Sequence, residues 1–124
     1  MKLSEIVDIL DAKVHTGEDA LDNEVLGACS SDLMSDVLAF SKNSAALLTG
    51  LVNTQVIRTA EMLDIVCVIF VRNKKPNQDV LDLAKELGIV VLSTDYTMYY
   101  ASGRLYEAGL GHRTNAEQKG VRNE

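Results

Sequence analysis

The chain has 124 residues, 47% of them hydrophobic and 24% charged; this fits one globular domain with its own core and excludes disorder of the whole chain. With 18 acidic and 12 basic residues the net charge is −6, which argues against a general nucleic-acid binder, whose affinity rests on Lys and Arg neutralising phosphates. The longest apolar run, Ile65–Val71, is too short to span a bilayer, and Met1-Lys2-Leu3-Ser4-Glu5 turns acidic without an apolar signal core, so a cytoplasmic protein with no membrane partner is expected.

Leu3, Ile6, Val7 and Leu10 stand at helical spacing and predict a first helix. Ala12 to Thr16 alternates and predicts a short strand ending at Gly17, and Glu18 to Glu24 reads as an acidic loop. From Val25 a strand–helix unit repeats. Val25 to Cys29 predicts a strand and Ser30-Ser31-Asp32 a helix cap. Leu33, Met34, Val37 and Leu38 then mark the inner face of a helix running to about Lys42. Ala45 to Thr49 is the next strand, ended by Gly50. Asn53-Thr54 can cap a helix whose inner face is Val56, Ile57, Ala60 and Leu63.

Ile65 to Val71 is wholly apolar, as expected of a central strand covered on both faces. Arg72 to Pro76 is a polar loop, with Pro76 placed to open a helix that turns Val80, Leu83, Ala84 and Leu87 inward and stops at Gly88. Ile89 to Leu92 is a further strand, Ser93-Thr94-Asp95 a cap, and a last helix runs to about Ala108. Residues 1–109 are thus expected to form one domain and residues 110–124 a flexible tail. Short strands alternating with helices predict the α/β class, a three-layer α/β/α domain with a mostly parallel sheet.

In such sheets ligands bind beyond the carboxyl ends of the strands. The candidate ligand-binding residues are therefore Ser30, Ser31, Thr49, Gly50, Asn53, Arg72, Lys74, Ser93 and Thr94, suited to a nucleotide or other anion. The same residue types serve as ordinary helix caps, so both readings stand. No G-x-x-x-x-G-K-[ST] or G-x-G-x-x-G occurs. His15 and His112, in the early strand and the tail, are not expected beside a serine or cysteine at a strand end, so no catalytic residues are assigned. Cys29 and Cys67 read as reduced, buried small hydrophobes, and neither a metal nor a cofactor is implied.

All four tyrosines, Tyr96, Tyr99, Tyr100 and Tyr106, are expected on the last helix. Tyrosine favours protein–protein contacts, and a homodimer is the commonest form such a contact takes. Closure of the core edge is the other reading of these rings.

Ala46-Leu47-Leu48-Thr49-Gly50, Arg58-Thr59-Ala60, Ile65 to Phe70, Pro76, Val80-Leu81-Asp82-Leu83-Ala84 and Gly88 to Thr94 together resemble the DRTGG domain, over Met1 to about Gly109. Members of that family are similar to the N-terminal domain of HPr kinase/phosphorylase and are sometimes labelled serine kinases. They occur alone, joined to CBS domains in pyrophosphatases, or beside phosphotransacetylase domains. The resemblance implies an HPr kinase N-terminal-domain-like fold and an accessory, regulatory or dimer-forming role, without catalytic residues. The relative's kinase chemistry lies in another domain whose phosphate loop this chain lacks. Two departures stand out: Gly50-Leu51-Val52 replaces the family's Gly-Asp-Arg, and Arg72-Asn73-Lys74 replaces its paired glycines, while Thr94 matches.

Overall fold

The computed structural model describes residues 1–40 and 44–112. In chain order the elements are α1 (Leu3–Leu10), β1 (Lys13–Thr16), β2 (Gly27–Ser30), α2 (Met34–Phe40), β3 (Ala45–Thr49), α3 (Thr54–Met62), β4 (Cys67–Phe70), α4 (Gln78–Leu87), β5 (Val90–Ser93) and α5 (Met98–Glu107). A single 3₁₀ turn, Glu18–Ala20, lies in the acidic loop. The expected extension of α2 to Lys42 and the tail from residue 113 onward lie outside the described residues.

Among the described residues the strands form one sheet in the order β1-β5-β4-β3-β2. β2 through β5 are parallel, each in register with its neighbour, and β1 closes the other edge antiparallel to β5. This is the mostly parallel sheet that the alternation of elements predicts.

Two apolar clusters fill the two faces. Leu47, Val68, Phe70 and Val91 pack under α2, α3 and α4 through Met34, Val37, Val56, Ile57, Ala60, Val80 and Ala84. Ala46, Leu48, Cys67, Ile69 and Leu92 pack under α1 and α5 through Leu3, Ile6, Leu10, Ala101 and Leu105. The result is a three-layer α/β/α domain. Alternate residues of β3 and β4 serve opposite cores, which is why these runs are apolar throughout rather than every second residue.

Some inward assignments change. On α2 only Met34 and Val37 of the expected four are buried, whereas Leu33 and Leu38 are exposed; the helix starts one residue later and covers the outermost strand, so its buried stripe is narrow. Leu63 caps α3 and is half-buried. Pro76 precedes α4, whose cap is Asn77, its side chain accepting from the Val80 N–H at 3.0 Å. Beyond α5, Leu110 is buried in the core and Gly111 lies against Gly27, so residues 109–112 pack on the domain.

Gly17 sits where β1 ends beside a register shift against β5. Thr16 bridges that irregularity: its hydroxyl donates to the Ile89 carbonyl at 2.8 Å and accepts from the Val91 N–H at 2.9 Å. Gly17 has φ +89°, and a Cβ there would stand 2.5 Å from Val90 Cγ2 and 3.2 Å from Val90 Cα. Left-handed strain and overpacking each cost on the order of 1–2 kcal/mol, so Gly17→Ala is expected to destabilise the domain by about 2 kcal/mol or more, read as a lower urea midpoint at unchanged m.

Candidate functional site

The carboxyl ends of β2 to β5 lie along one edge of the sheet, and the structure brings part of the expected set together there. At the end of β3 the Thr49 hydroxyl donates to Asp32 Oδ1 at 3.0 Å and the Gly50 N–H donates to the same oxygen at 2.7 Å. Thr49 also accepts from the Leu51 N–H at 3.1 Å. Asp32 therefore does not cap α2 as its position in Ser30-Ser31-Asp32 predicts. It crosses to the neighbouring strand end, and Ser31 takes the local turn, accepting from the Leu33 N–H at 3.0 Å.

Arg72, from the loop after β4, arrives at the same point. Its Nη2 lies 3.8 Å from Asp32 Oδ2, and a Cβ on Gly50 would run into its guanidinium. Asp32, absent from the sequence-derived candidates, thus sits between Thr49, Gly50 and Arg72. A carboxylate at that place opposes the approach of an anion. The only sequence signal for it was its position just after β2, and its cap-like context masked it.

Between β4 and β5 the chain diverges, β4 leading to α4 on one face and β5 to α5 on the other. The gap is closed by backbone. Arg72 N–H donates to the Tyr96 carbonyl at 2.7 Å, Asn73 N–H to the Thr94 carbonyl at 3.1 Å, and Lys74 N–H to the Val71 carbonyl at 3.2 Å. Arg72 and Asn73 both adopt left-handed φ, 59° and 58°. Thr94 is equally committed: buried, it donates to the Leu10 carbonyl at 2.7 Å and accepts from the Tyr96 N–H at 3.2 Å. The cap of α5 is Thr97, which accepts from the Tyr100 N–H at 3.2 Å, rather than Ser93-Thr94-Asp95. Asn53 accepts from the Val56 N–H at 3.1 Å as the cap of α3, and Lys74 is exposed.

The histidine expectation is overturned at β5. The antiparallel return of β1 sets Lys13 opposite Ser93 and places His15 Nε2 2.7 Å from Ser93 Oγ. A local sequence pattern cannot show this, because the two residues are 78 apart. Burial, then the Lys13 charge and then that of Lys75 hold the His15 imidazole below its usual value, which favours its neutral form. Ser30, at the opposite edge, shares a 2.7 Å hydrogen bond with Ser102 of α5. This pair borders a cavity of about 260 Å³ with Leu105, Tyr106 and Leu110.

The tyrosines divide. Tyr96 lies ahead of the Thr97 cap and not on α5 as expected; it packs against the core and meets Tyr100 edge-on, centroids 4.8 Å apart, and Arg104 Nη1 donates to the Tyr100 hydroxyl at 3.2 Å. Tyr99 is 90% exposed and Tyr106 55% exposed. They flank Gly103, around which no atom lies within 4 Å of an added Cβ, leaving an open notch on the outer face of α5. His112 stacks on Tyr106 at 4.7 Å. Cys67 is buried, which pushes its thiol up, while Cys29 is half-buried on the edge strand. Among the described residues no three His, Cys, Asp or Glu side chains cluster, and no helix is long and apolar enough to cross a membrane.

Comparison with known proteins agrees with this architecture. The DRTGG domain family model matches residues 5–108. A solved structure of the CBS and DRTGG domains of the regulatory region of Clostridium perfringens pyrophosphatase, complexed with activator, diadenosine tetraphosphate, superposes with a TM-score of 0.69 at 17% identity. The match covers 89% of this chain and 48% of that one, so the chain spans about half of the structure it resembles. No curated protein matches.

Arg72 and Asn73 stand where the family resemblance calls for paired glycines, and the backbone keeps the conformation that glycine favours. Asn tolerates that region and a β-branched residue does not. Asn73→Gly is therefore expected to leave stability within about 0.5 kcal/mol, whereas Asn73→Val loses about 1–2 kcal/mol, both read by chemical denaturation.

Proposed function

Because the chain belongs to the DRTGG domain family, we propose that it is a non-catalytic regulatory or interaction domain that works in the cytoplasm as a homodimer. One observation carries the dimer: a strip of exposed tyrosine, Tyr99 and Tyr106, flanking the open notch at Gly103 on the outer face of α5. Aromatic side chains around a small residue let two helices approach closely and bury area at low entropic cost. A two-fold axis through this notch would set each Tyr99 against the partner's Gly103 strip. Catalysis is not proposed: the strand-end polar groups around Asp32 and Thr94 are engaged in holding the loops together, and among the described residues no acidic side chain is bonded to His15 to orient it toward Ser93. A serine-kinase label would describe the relatives rather than a reaction of this chain.

Light scattering after size exclusion is the direct check. The chain is expected to run as a dimer at micromolar concentration, and Gly103→Arg, which fills an open notch without touching the core, is expected to give a folded monomer. A wild-type monomer at high micromolar concentration would remove the dimer.

A second reading, a small-molecule sensor for a nucleotide or other anion, draws support from the activator named for the matched pyrophosphatase structure and from the exposed Lys74 in the loop after β4. A ligand that binds only the folded state at a hundred times its Kd stabilises by about 2.7 kcal/mol. Adenine nucleotides, including diadenosine tetraphosphate, are then expected to raise Tm by roughly 5 °C or more for a domain of this size. Absence of any shift discards this reading and leaves the first intact.

A further inference from the structure

The sheet edge divides electrostatically. At the β3 end Arg72 is engaged by Asp32 over Gly50, and the N–H groups of Arg72, Asn73 and Lys74 are all given to carbonyls. At the β5 end the arrangement is the reverse. The alternation of β1 and β5 puts Val14, Val90 and Leu92 on the α1 side, and therefore Lys13, His15 and Ser93 together on the side covered by α4. His15 and Ser93 are half-buried and joined at 2.7 Å, and Lys13 stands directly across from Ser93. Lys75 lies in the loop that leads into α4 and acts on the same imidazole. Among the described residues neither Lys13 nor Lys75 has an ion-pair partner. In a chain of net charge −6, two lysines that form no ion pair among the described residues, one in register with Ser93 and one whose charge reaches His15, make a locally positive spot beside this hydroxyl–imidazole pair.

We propose that His15, Ser93, Lys13 and Lys75 form a binding site for a phosphate group, either inorganic phosphate or the terminal phosphate of a small metabolite. This deepens the sensor reading and rests on it only in that both require an anion at the strand ends. Each component suits the ligand. The Ser93 hydroxyl can rotate to donate, because the imidazole to which it is joined can take either role in that bond. Lys13 and Lys75 supply charge from two different elements, fixing the anion between an edge strand and the α4 loop. Burial and the two lysine charges favour the neutral imidazole, so holding it half-buried carries little penalty. A phosphate dianion then favours its protonation and gains a further charged donor.

The test follows the His15 ring and the backbone amides by NMR while inorganic phosphate, or chloride at matched ionic strength, is added to the full chain. Phosphate is expected to move the His15 ring and the Lys13, Ser93 and Lys75 amides saturably, and to raise the pH at which His15 titrates; chloride is not. Ser93→Ala and Lys13→Met, both at positions outside the core, are each expected to weaken the phosphate midpoint by about tenfold, the worth of one hydrogen bond to a charged group. Equal responses to phosphate and chloride, or a midpoint unchanged in both variants, overturn the proposal. Saturable shifts confined to Gly50, Arg72 and Asn73, lost in Arg72→Met, would overturn this site while upholding an anion sensor at the other cluster.

Discussion

Each β–α–β connection from β2 to β5 steps one strand in the same direction, and the rest of the molecule depends on that constraint. Right-handed crossovers taken always the same way must put α2, α3 and α4 on one face of the sheet. The other face is left for α1 and for whatever follows β5. The chain therefore changes sides at residues 94–97, and that is the one place where adjacent parallel strands send their loops apart. In many open α/β sheets such a divergence is the ligand crevice. Here it is filled by main chain, with Arg72 and Asn73 reaching the Tyr96 and Thr94 carbonyls.

Filling that crevice demands an unusual backbone. Of the two successive left-handed residues Asn73 tolerates that region, whereas Arg72 is strained by on the order of 1–3 kcal/mol and persists there only because its surroundings over-determine it. Their N–H groups are satisfied across the gap, and Arg72 is steadied over Gly50 by Asp32. The carboxylate and guanidinium that meet at Gly50 come from the two flanking loops, Asp32 after β2 and Arg72 after β4.

Legibility in the sequence follows the range of the forces involved. Helices, parallel strands and the caps Asn53 and Thr49-Gly50 turn could be read because periodicity and turn chemistry act over a few residues. Ala45 to Thr49 matches β3 residue for residue. What escaped was set at a distance. Leu33 and Leu38 look inward by spacing, yet α2 overlies only the outermost strand and cannot bury them. Ser30-Ser31-Asp32 reads as a cap until β3 places Gly50 within reach of the carboxylate. His15 and Ser93 meet only because β1 runs antiparallel beside the last strand, a pairing that no local pattern announces.

Ser93 and Thr94 point into different layers, and this joins the two halves of the functional reading. Ser93 faces His15 under α4, while Thr94 turns toward α1, donating to the Leu10 carbonyl and accepting from Tyr96 at the approach to α5. Tyr96 in turn packs edge-on against Tyr100, whose hydroxyl accepts from Arg104 within the helix that carries Tyr99 and Tyr106. A regulatory domain needs a physical connection between what it senses and what it contacts. In this fold the change of sides after β5 sets Ser93 beside the buried Thr94, so the proposed phosphate site and the proposed contact surface on α5 are linked through Thr94, Tyr96 and Tyr100.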